Sequence, residues 1–224
     1  MKPPVVLLIN PNTSEATTAM MHRLARAALP EAFELQSATA ARGVPMITTA
    51  QELAVSVDEV LAIGRAQAGA VSAIVVSAFG DPGAAVLRAE LSVPVIGIGE
   101  ASMREAADGG RRFGVATTTP GLDAAIVEAA TRYGFDALFT GCRIPADDPL
   151  ALAGNPALQV ERLAEAVIAC IEQDGAQAVV IGGGPLGQSA AELEARVGAF
   201  GGVPVIAPIA AAMRAVAAQL SAEV

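Results

Sequence analysis

Few side chains in this 224-residue chain have the chemistry to move a proton or attack a carbonyl, and their positions narrow the choice. Lys2 is the sole lysine, so neither a Schiff-base lysine nor a Walker-type phosphate loop is available. His22 is the sole histidine, one helical turn from Thr18 and from Arg26, as on a polar helix face. A Ser-His-Asp triad and most metal clusters are thereby disfavoured, and no metal site is expected. Cys142 and Cys170 lack any CxxC spacing, which argues against a disulfide framework or a zinc site. Ser77, Asp81 and Glu100 remain. Ser77 closes an apolar run, as a ligand-binding hydroxyl or a nucleophile lacking a neighbouring histidine. Asp81 precedes a proline, so an N-cap role is expected, with N–H bonds holding its anion and lowering its basicity. Glu100, in Gly97-Ile98-Gly99-Glu100-Ala101, reads equally as a general acid or base and as first-turn helix charge. Asn10, Thr117 and Thr118 are the best substrate hydrogen-bonders, against ordinary turn chemistry.

The elements that must position these residues occur twice. Ala73-Ile74-Val75-Val76 runs into Ser77-Ala78-Phe79-Gly80-Asp81-Pro82-Gly83, and Ala178-Val179-Val180-Ile181 runs into Gly182-Gly183-Gly184-Pro185, 105 positions later. Short β-branched apolar runs that break into small residues and a proline read as buried parallel strands feeding helices. Val93-Pro94-Val95-Ile96 recurs as Val203-Pro204-Val205-Ile206 at 110, and Ile9 is paired with Val115 at 106. The pattern predicts an α/β fold of two pseudo-symmetric lobes, each a parallel sheet flanked by helices, with the active site in the cleft between them. The first lobe is placed at residues 1–98 plus 207–224 and the second at 99–206.

Within that frame, strand Val5–Ile9 leads to a helix from Ser14 to Ala28, with Asn12 and Glu15 spaced as a capping box. A strand at Phe33–Ser37, a covering loop at Ala41–Thr49 and one helix from Ala50 to Gln67 follow. The second half reads as strand Phe113–Ala116, helix Leu122–Tyr133, strand Ala137–Cys142, an irregular stretch Arg143–Asn155 and a helix Pro156–Asp174. The second repeated strand, a further helix, strand Val203–Ile206 and a C-terminal helix complete it. Asp81-Pro82, Thr119-Pro120, Gly184-Pro185 and Asn155-Pro156 read as capped helix starts with proline at the first helical position. Three of them follow strand ends, where open α/β sheets bind ligands and free N–H groups attract an anion or a polarised amide. The glycine run from Gly182 to Gly184 permits close backbone approach to such a guest.

A formal charge of −9 argues against nucleic acid. No apolar run approaches the roughly 20 residues of a membrane span, and Val5–Ile9 is too short for a signal sequence. A cytoplasmic homo-oligomer is expected, with a small carboxylate or cyclic amide as its partner.

The segments Ile9–Ser14, Phe79–Gly83, Gly97–Ala101 and Val115–Thr119 resemble, in order, the signature segments of the Asp/Glu/hydantoin racemase superfamily, particularly its hydantoin and allantoin branch. The resemblance implies a cofactor-independent isomerase with its site between two lobes, using one cysteine from each on opposite faces of the substrate α-carbon. It places those cysteines at Ala78 and Gly183, which can carry no proton. It implies substrate contacts at Asn10, Phe79, Gly80, Thr117, Thr118, Gly183 and Gly184, and leaves Glu100 and Ser77 as catalytic candidates. The expected function is a racemase-like enzyme for a small amino-acid derivative, carboxylate or hydantoin-like cyclic amide, working without the two-cysteine mechanism. The alternatives are a diverged hydrolase, decarboxylase or lyase in the same cleft, and a non-catalytic metabolite-binding protein.

Overall fold

The computed structural model describes residues 2–196 and 202–222. Its strands are β1 (Val5–Asn10), β2 (Glu34–Thr39), β3 (Ala73–Val76), β4 (Val95–Gly97), β5 (Phe113–Ala116), β6 (Phe139–Arg143), β7 (Ala178–Ile181) and β8 (Val205–Ile206). The α-helices are α1 (Glu15–Ala28), α2 (Ala50–Val55), α3 (Val57–Gln67), α4 (Ala84–Glu90), α5 (Ile98–Ala106), α6 (Asp123–Arg132), α7 (Pro149–Ala153), α8 (Pro156–Glu172), α9 (Ala190–Arg196) and α10 (Pro208–Ala222). They form two α/β units. One takes the chain up to Ile47, Gln51–Ala101 and Ile209 onward; the other takes Thr48–Ala50 and Ser102–Pro208.

In the first unit the strand order is β2-β1-β3-β4, all parallel. Alternation sorts its apolar residues onto two faces. Val6, Leu8, Ala73 and Val75 pack against Met21 and Ala25 of α1 and against Ile209, Met213 and Val216 of α10. Leu7, Ile9, Ile74 and Val76 pack with Val60 of α3 and Leu87 of α4. Burial on both faces is why β1 and β3 read as unbroken apolar runs. In the second unit the order is β6-β5-β7-β8, again parallel. Val179, Ile181 and Val205 pack with Leu163, Val167 and Cys170 of α8 and Leu193 of α9.

The hydrogen-bonded register tests the repeat directly. Ala73 pairs with Val6 and Ala178 with Phe113, while Ile74 pairs with Val95 and Val179 with Val205. The intervals of 105 and 110 therefore hold, but the first strands are offset by 107, not 106. Asn10 corresponds to Thr117, Ser77 to Gly182 and Ala78 to Gly183.

Several local expectations are corrected. The single helix expected from Ala50 to Gln67 is two, broken at buried Ser56, whose hydroxyl donates to the Leu53 carbonyl at 2.7 Å. A serine bonding back to the preceding turn competes with the helix ladder and bends it. The stretch Arg143–Asn155 contains α7, started by Asp148, which accepts from the Ala151 N–H, and by Pro149 at its first turn. Ser14, not Asn12, caps α1, accepting from the Thr17 N–H. Pro120 and Pro185 open short 3-10 turns rather than α-helices, and the helix after Asp81-Pro82 begins only at Ala84. No helix among the described residues is long and apolar enough to cross a membrane.

Candidate functional site

The candidate residues gather at the carboxyl ends of β1 and β3 in one unit and of β5 and β7 in the other. In the first unit Asn10 is 1% exposed and spends its whole side chain on the turn after β1. Its amide donates to Asn12 Oδ1, the Ser14 carbonyl and Thr18 Oγ1, and its oxygen accepts from the Asn12 N–H. The Ser77 hydroxyl donates to the Ile9 carbonyl at 2.6 Å, beside a backbone bond from its own N–H to the same oxygen. The corresponding ends in the second unit are latched from the other strand: Thr117 Oγ1 donates to the Gly182 carbonyl at 2.7 Å. Ser77 and Thr117 thus fasten adjacent strand ends, while Asn10 fastens the turn after β1 to the start of α1. Ala78 and Gly183, one residue beyond the latches, are partly exposed where their neighbours at 77 and 182 are buried.

Asp81 does not cap the helix that follows it. It is 4% exposed, holds a φ of 54°, and accepts from the N–H groups of Gly99 and Glu100, each at 2.8 Å. Its carboxylate therefore sits at the start of α5, on the positive end of a different helix. Gly97 and Gly99 make the socket. A methyl group on Gly97 would overlap the Asp81 carboxyl, and one on Gly99 would approach Oδ2 to 2.9 Å. The sequence reading did not foresee this pairing, although two glycines flanking one residue were its signal. The Glu100 carboxylate accepts from Arg88 at 2.8 Å, and that guanidinium also holds the Val95 carbonyl at the start of β4. Phe79 is buried, and Gly80, at φ 108°, lies so near α2 that a methyl there would meet Leu53 at 2.7 Å.

Two features of these turns are open to a ligand. Among the described residues, no protein acceptor meets the backbone N–H groups of Phe79, Gly80, Thr118 and Thr119. Those of Thr117 and Gly183 are spent on the carbonyls of Arg143 and Ile181. Thr118 is 1% exposed, and its buried hydroxyl has no hydrogen-bond partner. Buried polar groups are nearly always paired, which makes this hydroxyl the candidate ligand contact of the second unit. Gly184 is buried at the start of its 3-10 turn. At Gly183 an added Cβ would come within 3.0 Å of the Leu186 side chain.

Neither cysteine offers a thiolate. Cys170 is fully buried in α8, and burial first, then the charge of Asp174, pushes its thiol up to about 12. Cys142 in β6 is raised further by burial and by its hydrogen bond to Asp123. From an ordinary value of 9.0, the Cys170 shift lowers the thiolate fraction about a thousandfold. Both thiols should react with a chromogenic disulfide at least ~100-fold more slowly in the folded than in the unfolded chain at pH 8. A rate near that of the unfolded chain for either would show an accessible, activated thiol.

Strand ends of parallel sheets that carry unspent backbone donors are where open α/β proteins bind small molecules. Residues 6–216 match the Asp/Glu/hydantoin racemase family, and the chain belongs to it. It is 30% identical over 216 residues to a hydantoin racemase of Rhizobium meliloti, covering 96% of this chain and 88% of that protein. A hydantoin racemase of Pseudomonas sp. (strain NS671) is 26% identical over 210 residues, covering 93% and 83%. Among solved structures, the allantoin racemase from Klebsiella pneumoniae superposes with a TM-score of 0.90 at 31% identity, covering 99% of this chain and 89% of that one. The protein is thus a racemase-family isomerase acting on small molecules.

Proposed function

We propose that this enzyme acts on a small, neutral, hydantoin-like cyclic amide, and that proton movement at the substrate α-carbon does not use a pair of thiols at positions 78 and 183. The observation that carries the reading is the orphan hydroxyl of Thr118, beside the unspent N–H groups of Thr118 and Thr119. A ring amide offers carbonyl oxygens to such N–H groups and N–H groups to such a hydroxyl. A neutral guest is favoured by the absence of charge at the turns. Between residues 10–14, 77–83, 117–120 and 182–185 the single ionisable side chain is Asp81, already bound to α5. The relatives are hydantoin and allantoin racemases, which supports the same ring class. We place the substrate ring against the strand end that carries Thr118 and Thr119. Ser77 and Glu100 then act as positioning residues, through the Ile9 carbonyl and through Arg88.

The test is Thr118→Val, which keeps the shape and removes the hydroxyl. Loss of one hydrogen bond should weaken hydantoin binding roughly tenfold by calorimetry. Thermal stability should hold or rise, because an unpaired buried hydroxyl is removed. Unchanged binding, or a marked loss of stability, would show that the hydroxyl serves the fold and not a ligand.

A further inference from the structure

A groove of about 410 Å³ lies along α8 in the second unit, and it shares no wall residue with the turns that carry the candidate site. That volume is within the range of small-molecule sites. Its floor is one side of the helix, where Arg162, Glu165, Ala166, Ala169 and Gln173 fall in a row. Its roof is the segment from Arg143 to Asp147, which leaves the end of the edge strand β6 and runs back along α8. Two ion pairs clamp that segment at its ends, Arg143 to Asp174 at 2.6 Å and Asp147 to Arg162 at 3.1 Å. The helix rises about 16 Å between Arg162 and Gln173, close to the roof's reach of about 13 Å. The roof therefore spans Ala166 and Ala169, whose small side chains leave the space beneath it open.

The two ends differ in charge. At one, Arg143 gives Nε and Nη2 to the two oxygens of Asp174, a balanced pair. At the other, Arg162 gives Nε to Asp147 and Nη1 to both oxygens of Glu165. Among the described residues no acceptor meets Arg162 Nη2. A free guanidinium edge beside two carboxylates matches a group that carries a carboxylate and an ammonium together. We infer that this groove is a second small-molecule site, which takes a free α-amino acid with a large apolar side chain. The carboxylate lies on Arg162 Nη2, the ammonium on Glu165 and Asp147, and the side chain on Ala166 and Ala169 beneath Ile144 and Pro145. A lone anion is disfavoured, because two carboxylates stand beside the one arginine, and a lone cation leaves Nη2 unused.

Calorimetry on the native chain compares both enantiomers of phenylalanine with three molecules that each lack one part: glycine, phenethylamine and 3-phenylpropionate. The better phenylalanine enantiomer should bind about tenfold or more tightly than any of the three, the worth of a buried benzyl group or of a charge-assisted bond. The Glu165 side chain is 60% exposed, so Glu165→Gln is expected to fold. It should weaken phenylalanine binding about twofold to fivefold, as for an exposed ion pair. Ala169→Leu fills the groove and should abolish binding. Thr118→Val, away from the groove, should leave phenylalanine affinity within about twofold. No phenylalanine binding at millimolar concentration, or equal binding of the amine or the acid, overturns the assignment. So does binding that survives both Glu165→Gln and Ala169→Leu unchanged, or binding lost in Thr118→Val, which would move the amino acid to the β5 turn. None of these outcomes bears on hydantoin binding, by which the proposed function stands or falls separately.

Discussion

The chain carrying both Ala78→Cys and Gly183→Cys should exchange the α-proton of a 5-substituted hydantoin in deuterated water about 10²–10⁴ times faster than the native chain. That range is what positioned acid–base catalysis supplies. The two positions are equivalent in the pair of strand registers, and both reach the surface one residue beyond buried latches. The two sites differ in how readily they accept a thiol. Position 78 already carries a Cβ. Gly183 has no positive φ, so its backbone suits a cysteine, but the new Cβ would press on Leu186 at 3.0 Å. A side-chain end can yield by a few tenths of an ångström, and adding Leu186→Ala removes the obstacle. The triple variant should equal or exceed the pair. Each single variant should gain far less, since one thiol cannot both remove and return a proton on opposite faces. Native exchange already as fast as the pair's would overturn the proposal that this enzyme lacks an efficient proton carrier. It would direct attention to Glu100 freed from Arg88. A pair with no gain, yet unchanged hydantoin affinity, would show that positions 78 and 183 do not flank the α-carbon.

The parts of the fold legible in the sequence are those set by alternation and burial. β1, β3, β5 and β7 announced themselves because strands buried on both faces must be apolar throughout. The repeat followed from the same property, and its intervals of 105 and 110 were readable because strand and turn lengths match. The error of one in the third interval arose because the match was made on turn residues, whereas register is fixed by hydrogen bonds. Polar roles were less legible, because the partner lies far along the chain. Asp81 reads locally as the cap of its own helix, and only the fold brings it to Gly99, eighteen residues on. Ser77 and Thr117 read as ligand hydroxyls, and the structure spends them on carbonyls 68 and 65 residues away. Thr118 was legible as a candidate, but what distinguishes it, a hydroxyl buried without a partner, is a property of the packed chain.

The Asp81 socket supports the second large effect. Gly97→Ala should destabilise the protein by about 3–5 kcal/mol, the sum of overpacking and of weakened charge-assisted bonds to Gly99 and Glu100. For a chain of this length that is a fall of roughly 10 °C in Tm. The new methyl cannot be accommodated by the far end of a flexible side chain. It would occupy the space of the carboxyl group itself, which is held by two 2.8 Å bonds and by a residue at positive φ. Asp81→Ala alone should cost about 2–4 kcal/mol, because the start of α5 loses its acceptors and negative charge together. The two changes share one space and so should not add. Once the carboxyl is gone, Gly97→Ala meets no obstacle from it, and the double variant should be little less stable than Asp81→Ala by denaturant titration. The expected coupling is at least ~2 kcal/mol, well beyond the few tenths typical of independent sites. Additive losses would mean that Gly97 is required for another reason, and an unaffected Gly97→Ala would mean that the carboxylate is not seated between the two glycines in solution. Because this socket ties the turn carrying Ala78, Phe79 and Gly80 to the end of β4, Gly97→Ala should also weaken hydantoin binding, whereas Thr118→Val weakens binding at no cost in stability.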